Sequence, residues 1–125
     1  NLYFIINKKE NHMKKFILTI FICLWSHSAV AHSPLNLTIP SDGSLITELP
    51  DKLILEFKGS VRLTLVTIKH NDNSKIKLNL NSSLGFVSKH NVPISFKDTG
   101  SYFVEWRGLG TDGHTLKGSF EFNVK

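Results

Sequence analysis

Two stretches of this chain carry side chains that could chelate a transition metal. In the first, Ala29-Val30-Ala31 precedes His32. Small residues in an A-x-A arrangement form a secretory cleavage site. Cleavage after Ala31 would give His32 a free α-amine beside its imidazole. Amine nitrogen and Nδ1 close a chelate ring, and nitrogen with oxygen donors suits Cu(II), which prefers tetragonal N,O coordination. The second stretch is Thr111-Asp112-Gly113-His114, a carboxylate and an imidazole two residues apart in a glycine-rich segment with Gly108 and Gly110. Each stretch also has an ordinary reading: a cleavage site that happens to precede a histidine, and an Asp-Gly turn with an exposed imidazole.

The residues before His32 support the cleavage reading. Met13-Lys14-Lys15 is followed by an apolar run over 16–25 and then small and polar residues. A basic start, a short apolar segment and a small-residue site make a signal peptide over 13–31. The run falls short of the roughly 18 residues that cross a bilayer. Cys23 lies inside it behind Phe21-Ile22, which does not suit a lipoprotein anchor. Residues 1–12, which precede Met13, are expected to be an upstream extension outside the natural product, either translated upstream sequence or a wrongly chosen start. The expected exported domain is 32–125, 94 residues, enough for one small core.

The single Cys and single Met, Cys23 and Met13, both lie before that domain, which therefore has no disulfide, thiolate or thioether ligand. Absence of disulfides is compatible with export. Of the formal charge of +5, residues 32–125 carry 11 Lys+Arg against 9 Asp+Glu, a net of +2. The lysines are scattered without aromatic interleaving, which gives no support to nucleic-acid binding.

The elements that must position these groups have the look of strands. A first extended segment reaches Thr38 and closes at Pro40-Ser41-Asp42-Gly43, turn chemistry. Residues 52–57 suit a pleated surface, and Gly59-Ser60 should break them. Residues 61–68 alternate until the pattern slips at Val66, which suggests a bulge. Residues 75–80 alternate Ile76, Leu78 and Leu80 with polar neighbours, and 92–96, 102–106 and 118–124 complete the set. No segment shows a sustained helical period. Short strands at regular spacing point to an all-β sandwich or barrel of six or seven strands.

Other chemistry lacks support. His70 and His90 adjoin Asn-containing turns and should be solvated. Trp106, Phe103, Phe120 and Phe122 lie at strand spacing and belong to a core. No Ser occupies a nucleophile elbow, and Gly108-Leu109-Gly110 opens no helix that could hold a phosphate.

His32 after A-V-A, Pro40-Ser41-Asp42-Gly43-Ser44 and Leu53-Ile54-Leu55-Glu56-Phe57 open the expected domain. Gly100-Ser101-Tyr102-Phe103-Val104-Glu105-Trp106-Arg107, then Asp112-Gly113-His114, then Gly118-Ser119-Phe120-Glu121-Phe122 close it. With these two ends, and a generic middle from about Arg62 to Phe96, 32–125 resembles the CopC-type periplasmic copper-binding proteins, more closely at its end than at its start. The resemblance implies a seven-stranded Greek-key β-sandwich, cupredoxin-like or immunoglobulin-like, with a Cu(II) site built from the amine and imidazole of His32, the imidazole of His114 and the carboxylate of Asp112. It implies a non-enzymatic role in the periplasm, in copper homeostasis or resistance, or in delivery to an inner-membrane transporter of the CopD type. No membrane insertion is expected after signal cleavage. Two departures matter. Lys58-Gly59 follows Phe57 where some members place a further glutamate, and the methionine-rich loop of Cu(I) sites is missing, which implies the single-site Cu(II) type. Two other functions use the same fold: a copper-dependent oxidase or monooxygenase built on the terminal histidine, and a metal-free immunoglobulin-like binding module.

Overall fold

A computed structural model describes Lys14 and residues 34–125. Ser33–Lys125 forms one compact unit. His32, the expected extension over 1–12 and, apart from Lys14, the expected leader over 13–31 lie outside the described residues.

Residues 34–125 contain strands and turns and no helix. The strands are β1 (Leu35–Ile39), β2 (Ser44–Ile46), β3 (Lys52–His70), β4 (Ile76–Lys77), β5 (Val87–Pro93), β6 (Gly100–Gly110) and β7 (Thr115–Val124). They form one curled seven-stranded sheet in the order β1-β3-β6-β7-β2, with β4 and β5 also paired to β3. The expected all-β sandwich is present, its two layers being the two halves of that curl.

β3 makes the curl, and here the sequence reading needs correction. Gly59-Ser60 does not end the strand, which runs 19 residues without interruption. Its first half, through Glu56, pairs with β5, and the register then jumps to Val61↔Val87. Its second half, from Val61, pairs with β6. The small residues serve as a bend that passes one strand from one layer to the other. The slip expected near Val66 is a real bulge: Leu63 faces Gly108 and Leu65 faces Arg107, leaving Thr64 without a partner. One extra residue inverts side-chain parity. Accordingly Leu53, Leu55, Phe57, Val61 and Leu63 are buried before the bulge, and Val66 and Ile68 after it.

Two further strands differ from expectation. Where 75–80 alternates, only Ile76–Lys77 is paired, and Ile76 is exposed. Leu78 and Leu80 pack on the core from irregular backbone. β5 begins at Val87, five residues before the expected start, and ends before Phe96.

The core is closed by β6 and β7, where Tyr102, Val104 and Trp106 meet Phe120, Phe122 and Val124. Phe57 meets Trp106 edge-on at 4.9 Å between ring centroids, and Tyr102 stacks on Phe122 at 5.3 Å. The Tyr102 hydroxyl donates to the Asp98 carbonyl at 2.6 Å, as in the tyrosine corner of β-sandwiches. Trp106 lies directly opposite Gly118, where a Cβ would come within 2.7 Å of the indole. That glycine is required by the width of the ring, not by backbone angle.

The Pro40–Gly43 turn is stitched to β7. The Gly43 amide donates to the Glu121 carbonyl at 2.7 Å, and the Glu121 amide donates to Asp42 Oδ1 at 3.0 Å.

Candidate metal centre

β6 and β7 form a hairpin whose last pair is Leu109↔Thr115. Between them the chain turns tightly: the Gly113 amide donates to the Gly110 carbonyl at 3.0 Å, and the Gly110 amide donates to the His114 carbonyl at 2.9 Å. Gly113 has φ +83°, a conformation that L side chains resist. Gly110 is needed for a different reason. A Cβ there would lie 2.9 Å from Asp112 Oδ1, so only glycine leaves room for the carboxylate to fold back.

That folded carboxylate organises the turn. Asp112 Oδ1 accepts the His114 backbone N–H at 3.1 Å, and Oδ2 lies 2.6 Å from His114 Nδ1. Asp112 and His114, both expected as site residues, are therefore in direct contact. With Nδ1 held by Asp112, Nε2 is the ring nitrogen left for a metal, the carboxylate–histidine arrangement that fixes tautomer and ring direction at metal sites. Both side chains are exposed. The hydrogen bond from His114 lowers the Asp112 pKa below the ordinary carboxylate range, and the same bond, with the carboxylate charge, raises that of His114 above 6.5.

The turn borders an open hollow of about 480 Å³ lined also by Pro34, Lys58, Gly59, Val61 and Leu116. Pro34 is pinned there, its carbonyl accepting the Lys58 amide at 2.9 Å. The β3 bend thus contributes an ammonium side chain to this rim where a carboxylate would add a ligand. Among the described residues no group of three or more His, Cys, Asp and Glu converges on one point. Asp112 and His114, both expected as ligands, are brought into contact by the fold, and the third expected group, His32, lies outside the described residues.

His70 and His90 are not solvated as expected. His90 is fully buried. Its Nε2–H donates to the carbonyls of Val61 at 2.7 Å and Val87 at 3.1 Å, its Nδ1 accepts from Ser83 Oγ, and its ring meets Phe57 edge-on. All of its polar capacity is used in joining the 83–87 loop and β5 to the bend of β3. Period-two alternation along β5 was the available signal: His90 and Val92 share the inward face. His70 is half-buried, stacked on Tyr102 at 4.6 Å with Nε2 2.8 Å from the Thr99 carbonyl. It stands nine strand residues from Val61, about 30 Å at strand rise and far from the hollow.

Residues 35–125 match the family model of the CopC domain. The chain belongs to the CopC family. Copper resistance protein C of Escherichia coli is 27% identical, with 78% of this chain and 85% of that protein covered. Among solved structures, CopC from Methylosinus trichosporium OB3b is similar at a TM-score of 0.62 and 24% identity, covering 75% of this chain and 94% of that one. PcoC, a methionine-rich copper resistance protein from Escherichia coli, is similar at 0.56 and 24%, covering 76% and 100%. The CopC domain here holds no methionine, since the single one is Met13.

Proposed function

We propose that this CopC domain binds one copper ion, as Cu(II), at the β6–β7 turn, and that signal cleavage after Ala31 completes the site. The observation that carries the reading is the pairing of Asp112 with His114 Nδ1, which presents Nε2 on the rim that Pro34 shares. The amine and imidazole of His32 with His114 Nε2 supply three nitrogens, and Asp112 supplies negative charge beside them. Such a set favours Cu(II) among first-row divalent ions. Thioether ligands for Cu(I) are missing from the domain. The family and its copper-resistance relatives support the same cargo.

On this reading the leader over 13–31 delivers the protein to the periplasm, where it sequesters copper or hands it to an inner-membrane transporter of the CopD type. The role is carriage, and the enzyme alternative has a clear discriminator: a copper-loaded protein that produced peroxide from oxygen and a reductant far faster than free copper would establish redox catalysis. The site itself is tested by titrating Cu(II) into two proteins, one beginning at His32 and one with a single residue added before it. Tight binding by the first and its loss in the second is the expected result. Equal binding by both would remove the terminal amine from the site, and no Cu(II) spectrum in either would leave a metal-free module.

A further inference from the structure

Cations scattered along the sequence are gathered by the sheet onto one face. Cross-strand pairing sets Leu65, Arg107 and Lys117 in one row across β3, β6 and β7, and Thr67, Glu105 and Ser119 in the next. These side chains, with Lys75, line an open hollow of about 560 Å³ on the outer face of the sheet. Arg107 and Lys117 are exposed and directly opposite one another. Like charges in that position destabilise a sheet. The acidic group of the hollow, Glu105, is already committed to Lys75 at 2.5 Å. Among the described residues neither Arg107 nor Lys117 has an ion-pair partner.

We infer that this hollow docks an extended acidic segment of a partner protein, whose carboxylates lie between Arg107 and Lys117. The charge is complementary to such a segment and uncompensated without it. Concavity favours a polypeptide over a membrane, because a flat lipid surface meets the rim of a hollow and not its floor. The row lies two pairs from the end of the hairpin, so the partner would sit near the Asp112–His114 turn without covering it.

The probe is a fluorescein-labelled peptide of four Glu-Thr repeats, with binding followed by anisotropy at low and physiological salt. The wild-type protein should bind it with affinity that falls as salt rises. Arg107→Gln/Lys117→Gln should weaken binding about tenfold or more, whereas Lys97→Gln/Lys125→Gln, which removes the same charge elsewhere, should change it less than about twofold. Lys117→Glu is the sharper variant. It converts the repulsive pair to an attractive one, so it should abolish peptide binding while raising Tm by about 2 °C. Equal binding by the two Gln pairs would overturn the inference by reducing it to net charge. So would a Lys117→Glu protein that still bound, or one whose Tm fell. Binding to vesicles of three parts phosphatidylethanolamine to one part phosphatidylglycerol but not to the peptide would overturn it in favour of a lipid surface.

Discussion

At the scale of single residues, Asp112 orients His114 more than it shapes the fold. Asp112→Asn keeps an oxygen for the His114 amide but loses the charge beside Nδ1. Cu(II) affinity should fall about 10- to 100-fold with little change in Tm, measured by competition with a chelator of known affinity. Gly110→Ala should act on the same carboxylate from behind, since its Cβ would displace Oδ1, and it should lower affinity while the sheet remains intact. At the proposed site the proton competes with the metal for His114. Because the folded-state pKa is raised, by the Asp112 hydrogen bond first and its charge second, copper affinity should begin to fall at a pH above the ordinary imidazole value near ~6.5. An NMR titration of the metal-free protein should show the His114 ring titrating above that value, and Asp112→Asn should move it back down. As a stability term the pair has a window. The His114 part is present below the unfolded pKa and lost as pH rises through the raised one. The Asp112 part is present above the unfolded pKa and lost as pH falls through the lowered one. With both side chains exposed, this titration bears on metal binding at the proposed site more than on the fold.

At the scale of elements, the bend of β3 depends on His90. Removing a side chain whose two ring nitrogens are both bonded in the core leaves unsatisfied carbonyls and a cavity. His90→Ala should cost about 3 kcal/mol, and Ser83→Ala about 1 kcal/mol, in urea denaturation. Asp112 and His114 could be picked out in the sequence because a two-residue spacing around glycine is a local pattern. His90 is legible only through its period-two relation to Val92, and that signal counts once β5 is known to begin before it. Likewise the bulge at Thr64 showed as a slip in alternation, while Gly59-Ser60 showed as a break. Small residues in a strand interior weaken it or let it bend, and only the partners on either side decide which.

At the scale of the molecule, the strand pattern and family motifs in the sequence were enough to indicate an all-β sandwich. What they left out was the gathering of charge. Lys75, Arg107 and Lys117 lie on three different segments, and their common face exists only once β6 has paired with both neighbours. Gly118→Ala tests how far the core depends on the same hairpin. Its methyl group would press on Trp106, and the expected loss is about 2 kcal/mol, readable in the midpoint of thermal unfolding.

β7 lies between β6 and β2, with β2 paired to it in parallel through Ser44↔Phe122, Leu45↔Asn123 and Ile46↔Val124. An interior strand drawn from the last ten paired residues imposes an order in time. A chain emerging segment by segment, from a ribosome or through a translocation pore, has nothing to hold β2 in place and no far side to the Asp112–His114 turn until Val124 has come through. In a chain made from its N-terminal side, the Asp112–His114 turn therefore closes only after β1 to β6 have emerged, when β7 slots between β6 and β2.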